Sequence, residues 1–92
     1  MVEVTLTRHL CELFPGLDGP KLEMEASTVA DVLAELEKAA PGIGFYICDE
    51  RGRLRQHVNV FIGEERVADR ERLRDRLEPG SRVFIMQALS GG

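Results

Sequence analysis

One stretch of the chain has helical periodicity long enough to form a sizeable helix, and the segments around it alternate like strands. From Thr28 to Ala40, apolar residues fall at Val29, Val32, Leu33, Leu36 and Ala40, leaving Asp31, Glu35, Glu37 and Lys38 for solvent. Thr28 can cap this helix, with Asp31 three residues later in the place of a capping-box acid. Pro41-Gly42 stops it, because the residue before a proline resists the helical conformation. A helix with one apolar stripe must bury that stripe against another element, and the rest of the sequence offers a sheet.

The strands are read from alternation. Over residues 2–7, Val2, Val4 and Leu6 oppose Glu3, Thr5 and Thr7; over 21–26, Leu22, Met24 and Ala26 oppose Lys21, Glu23 and Glu25. These two segments read as a long hairpin whose loop carries Pro15-Gly16 and Gly19-Pro20, with no clear pattern at 8–14. His57 to Ile62 reads as a strand with Val58, Val60 and Ile62 on one face. Gly63-Glu64-Glu65 turns, and Arg66-Val67-Ala68 starts a short return strand.

Residues 43–56 read as irregular, with Ile43, Phe45, Tyr46 and Ile47 packed back onto the domain and 49–53 an exposed turn. Residues 69–77 read as one short helical turn pinned by Leu73 and Leu77. Pro79-Gly80 makes a tight turn, and Arg82 to Leu89 is the last strand. The order strand, strand, helix, strand, short strand, strand is not the alternation of a parallel doubly wound sheet. It predicts an α+β domain with one mixed sheet of four to five strands around one main helix, its first and last strands central.

With 92 residues, the chain suffices for one domain, expected over 1–87, followed by a flexible tail at 88–92. Sixteen acids against twelve bases give a formal charge of −4. That balance disfavours nonspecific nucleic-acid binding, which rests on phosphate neutralisation, and adhesion to anionic membranes. No apolar run approaches the length of a membrane span, and Met1 to Thr5 lacks the basic-then-apolar pattern of a secretory signal. A cytoplasmic location is expected, with Cys11 and Cys48 as reduced thiols.

Conventional catalytic motifs are missing. The sequence has no GxxxxGK or GxGxxG loop and no GxSxG elbow. His9, Cys11, Cys48 and His57 could supply four zinc ligands, but their spacing matches no finger or knuckle. Satisfied surface side chains account for them better. Cys48 has no sequence-adjacent base to make it a nucleophile and reads as a small apolar filler. The run Arg66 to Glu78 alternates in sign and reads as a solvated face. The expectation is a protein with no active site, metal or bound cofactor of its own.

What remains is Leu89-Ser90-Gly91-Gly92. If the last strand anchors the chain up to Met86, the residues beyond it, at about 3.3 Å each, reach nearly 20 Å from the body. Glycine lacks a Cβ, so Gly91 and Gly92 can enter a narrow channel in another protein. A carboxylate resists nucleophilic attack because its charge is delocalised and oxide leaves poorly. Conversion to an acyl-adenylate supplies a leaving group; persulfide sulfur can then replace the nucleotide, and a thiol that cleaves the resulting acyl disulfide leaves a thiocarboxylate. The catalytic groups belong to partners.

The C-terminal part carries a resemblance. His57-Val58-Asn59-Val60-Phe61-Ile62 followed by Gly63-Glu64, then Leu77-Glu78-Pro79-Gly80-Ser81-Arg82-Val83, then Ile85 to Gly92, resembles the ubiquitin-like sulfur carriers. These include the small subunit of molybdopterin synthase and the carriers of thiamine and cysteine biosynthesis. The resemblance implies a β-grasp fold, with the carboxyl of Gly92, presented by Gly91, receiving the sulfur. It implies three partners: an adenylating enzyme of the ubiquitin-activating type that uses ATP, a desulfurase or sulfurtransferase as sulfur donor, and a sulfur-accepting synthase in cofactor or cysteine biosynthesis. It also implies docking through the apolar sheet face beside the tail, carried over to Phe61, Phe84, Met86 and Leu89. For Phe61, Phe84 and Met86 the alternative is ordinary packing under the helix or under residues 43–56.

Two positions depart from the family pattern. Gln87 and Ala88 stand where the molybdopterin synthase subunits usually have prolines, and Ser81 stands where an acid is common. Ala88 and the long segment 45–57 look more like the cysteine-biosynthesis carrier or an unassigned cousin, and the residues do not choose the pathway. Three other readings remain open on the residues: a permanent small subunit of molybdopterin synthase, a protein modifier joined to lysines, and a plain binding module indifferent to loss of Gly91-Gly92.

Overall fold

The computed structural model describes residues 1–17, 19 and 21–87. In chain order the elements are β1 (Val2–Leu6), α1 (Arg8–Leu13), β2 (Lys21–Met24), α2 (Val29–Ala39), α3 (Ile43–Ile47), β3 (Val58–Ile62), β4 (Glu65–Arg66) and β5 (Arg82–Gln87). The strands form one sheet in the order β2-β1-β5-β3-β4. β1 and β5 run parallel, with Val4 beside Val83, and the other neighbours are antiparallel. The first and last strands are therefore interior, as their apolar content implied. A mixed sheet packed on one long helix is the β-grasp architecture.

One face of the sheet collects Val2, Val4, Leu6, Val58, Val60, Val83 and Ile85, none more than 3% exposed. Val29, Val32, Leu33 and Leu36 of α2 join the same buried cluster. Each such side chain contributes roughly 2 kcal/mol on full burial. The helix starts where Thr28 predicts. Its Oγ1 accepts from the Asp31 amide at 3.2 Å, and Asp31 Oδ2 accepts from the Thr28 amide at 3.2 Å. Two more orphan donors are met from outside the helix: the Val29 amide donates to the Asp75 carbonyl and the Ala30 amide to the Leu73 carbonyl, at 3.1 and 2.9 Å.

Several segments differ from their sequence reading. Residues 8–14 are not patternless: α1 lies inside the β1–β2 connection and buries Leu10. Residues 43–56 are not wholly irregular, since α3 places Ile43 and Ile47 four apart, both fully buried. Phe45, on the same helix, does not pack back; it is 66% exposed. A residue of α2 starts α3: Glu37 accepts from the Gly42 and Gly44 amides at 2.8 and 2.9 Å. Gly42 sits there at φ 101°, a conformation that favours glycine.

Residues 69–77 form no helix. The chain turns around Asp69, whose carboxylate accepts from the Glu71, Arg72 and Arg74 amides, while its carbonyl accepts from the Leu73 amide at 3.0 Å. Leu73 and Leu77 are buried and do pin the segment. Leu73 stands at φ 57°, and among the described residues no other non-glycine has a positive φ. The last strand is described to Gln87; its expected end at Leu89, and the tail at 88–92, lie outside the described residues.

Candidate functional site

Alternation along β5 sends Val83 and Ile85 into the core and Phe84 and Met86 to the opposite face. Across the ladder, Phe84 faces Phe61 of β3 and Met86 faces Asn59, while Thr5 of β1 flanks Phe84 on the other side. Phe61 and Phe84 are half-buried, and Met86 is 51% exposed. The Arg66 guanidinium sits over the Phe61 ring, 5.8 Å from its centroid. The three residues thus form one apolar patch facing away from α2, and packing beneath the helix does not account for them. Leu89, Gly91 and Gly92 lie outside the described residues.

The patch lies beside Gln87, the last described residue. Gln87 pairs with Val58 on one side. On the other, its amide donates to Thr7 Oγ1 at 3.0 Å, and that hydroxyl donates to the Ile85 carbonyl at 3.2 Å. The Thr7 amide also donates to the Ile85 carbonyl, at 3.1 Å. Gln87 is therefore held from both neighbouring segments. The sequence reading took Thr7 only as a polar strand position; a threonine just past a strand end gives no signal of bonding a residue 80 positions away.

Arg70 is a second residue missed. It was read as part of a solvated run, but it is half-buried. Its Nη2 donates to the Arg55 and Val58 carbonyls, both at 2.8 Å, and its Nη1 to Asn59 Oδ1 at 3.4 Å. It ties the 69–77 segment to the start of β3. Around it lies a depression of about 670 Å³ lined by Arg53, Arg55, His57, Asn59, Arg66 and Glu71 among others.

Among the described residues, no cluster of three His, Cys, Asp or Glu side chains could hold a metal ion. Cys48 is buried, and burial, with Asp49 beside it, pushes its thiol up to about 11. Burial, with Glu12 beside it, also raises Cys11, which is half-buried on α1. Neither thiol has the lowered pKa of a nucleophile. No helix among the described residues is long and apolar enough to cross a membrane.

A five-stranded mixed sheet on one helix, with an apolar outer patch leading to the C-terminal residues, defines a ubiquitin-like β-grasp domain. The ThiS family profile matches residues 4–92, and the chain belongs to that family. Among solved structures, CysO of Mycobacterium tuberculosis is similar with a TM-score of 0.82 and 25% identity, over 97% of this chain and 100% of that one. SAMP1 of Haloferax volcanii matches with a TM-score of 0.74 and 26% identity, over 99% and 98%. A chain of the BexX/CysO complex of Amycolatopsis orientalis matches over the full length of both, with a TM-score of 0.84 and 23% identity. No curated protein sequence matches the chain. The chain thus has the fold of the ubiquitin-like sulfur carriers and modifiers.

Proposed function

We propose that this protein carries sulfur as a thiocarboxylate on the carboxyl group of Gly92. A partner enzyme of the ubiquitin-activating type joins that carboxylate to the adenylyl group of ATP, and pyrophosphate leaves. A sulfur donor then attacks the acyl carbon and AMP leaves. With a persulfide donor the product is an acyl disulfide, which a thiol cleaves to release the thiocarboxylate. The protein supplies an end that lacks side chains at Gly91 and Gly92, and the apolar patch of Phe61, Phe84 and Met86 as a docking face, with Leu89 assigned to the same role. The acceptor is a synthase of cofactor or cysteine biosynthesis, and the reactions take place in the cytoplasm. The single observation carrying this reading is the family match that extends through Gly91 and Gly92.

Intact-mass measurement tests it. Protein from its native host, or protein incubated with ATP, an adenylating partner and a sulfur donor, is expected to exchange one C-terminal oxygen for sulfur. Deleting Gly92 should abolish the exchange with the fold intact. Sulfur uptake by a chain extended beyond Gly92 and shown by mass to be untrimmed would move the site to Cys11 or Cys48. The likeness to SAMP1, a small archaeal modifier protein, favours a second reading, conjugation of Gly92 to lysines of other proteins. Isopeptide adducts that survive denaturing gels would support it.

A further inference from the structure

Three ion pairs occur among the described residues, Met1 with Glu25, Lys38 with Glu35 and Arg53 with Asp49. None involves Arg55, Arg66 or Arg70, and all three line the depression beside β3. Four arginines meet two carboxylates there, Asp49 and Glu71, in a chain whose overall charge is −4. The sign of the molecule is locally inverted.

The arginines are also arranged rather than scattered. Arg70 is held by two carbonyls and the Asn59 amide oxygen, so its charge is positioned without being neutralised. Arg55 is fixed through Nε to the Phe45 carbonyl at 2.9 Å. Arg55 and His57 line a second depression, of about 340 Å³, whose wall includes Gln87. A basic strip therefore runs from Arg66 to Gln87. At Arg66 it meets the apolar patch, because that guanidinium lies over Phe61.

We propose that this strip docks a carboxylate-bearing segment of the adenylating partner; the inference rests on the carrier reading above. Guanidinium forks match carboxylates in bidentate geometry. Asp49 and Glu71 interrupt the strip, which suits spaced carboxylates and opposes a continuous phosphate backbone. Its junction with Phe61, Phe84 and Met86 calls for a partner that presents apolar and acidic groups together, as a protein surface does. The contribution falls on encounter rate and specificity, which depend on ionic strength.

A hexaglutamate peptide titrated into isotopically labelled protein tests the inference by amide shifts. Shifts are expected at Arg55, His57, Asn59 and Arg66, weakening with added salt and absent with hexaglutamine. Arg66→Gln, at an exposed edge position, should weaken binding about threefold, and Arg55→Gln with Arg66→Gln about tenfold. Arg74→Gln, outside the strip, should leave it unchanged, and thermal melts would identify any variant that fails to fold. No shifts, shifts centred on Arg72 to Arg76, or unchanged affinity in Arg66→Gln would overturn the proposal. Inorganic phosphate or a DNA oligonucleotide competing as well as the peptide at equal charge would overturn its assignment to protein carboxylates. Deleting Gly91 and Gly92 should leave peptide binding intact while sulfur loading is lost, so the two readings fail separately.

Discussion

Thr7 has one hydroxyl and uses it twice, as a donor to the Ile85 carbonyl and an acceptor from the Gln87 amide. Thr7→Val keeps the shape and removes both bonds. It is expected to cost about 1–2 kcal/mol in urea unfolding and to speed hydrogen exchange at the Gln87 amide selectively. A second single-residue device is Glu37, whose carboxyl is held below the usual carboxylate range by hydrogen bonds from the Gly42 and Gly44 amides. A lowered folded-state pKa adds stability above the unfolded value, and that addition fades as pH falls through the folded value. Wild type should therefore exceed Glu37→Gln in stability at pH 7, with the difference vanishing in strong acid. Equal pH profiles of the two proteins would show that these bonds carry no stability. Neither device was legible beforehand. Nor was Arg70: the carbonyls it binds belong to the backbone of Arg55 and Val58, atoms that every residue has, so nothing distinguishes it from Arg72 or Arg74 in the sequence.

At the scale of elements, legibility follows length. α2 spans eleven residues and carries a capping box, enough for periodicity and a start signal together. α1 and α3, at six and five residues, each complete little more than a turn, so no apolar stripe can repeat. α3 also takes its cap from Glu37 on another helix, which a search for a local capping residue overlooks. The 69–77 segment shows the same limit in a different form. Leu73 and Leu77 at a helical spacing suggested a helical turn, but Asp69 draws the amides of three following residues to its side chain and the backbone closes around it instead. This segment then serves α2, whose first two amides it satisfies. Leu73→Ala should cost about 2–5 kcal/mol by the cavity it opens, and it should also raise exchange at the Val29 and Ala30 amides. Thr28→Ala should cost about 1 kcal/mol and affect only the helix start.

At the scale of the whole molecule, the order and centrality of the strands were legible because apolar content and alternation survive in each strand separately. The apolar content of the first and last strands implied that both are central, and the sheet order bears this out; that they pair with each other, in parallel, was not legible. Cys48 offers a probe of the intact body. It is 7% exposed with its thiol raised to about 11, so iodoacetamide at pH 8 should modify it only on global unfolding. Labelling of Cys48 at a rate matching the unfolding rate would agree, whereas rapid labelling of native protein would reveal local opening around residues 47–54.

The strand bridging the two halves of the sheet, β5, is also the last strand among the described residues. Until residues 82–87 emerge from the ribosome, β1 and β3 have no common neighbour and the cluster around Val83 and Ile85 is missing. A chain cut short before β5 therefore lacks the strand that would join its two halves into one sheet. Its apolar strand faces stay uncovered, open to cellular proteases.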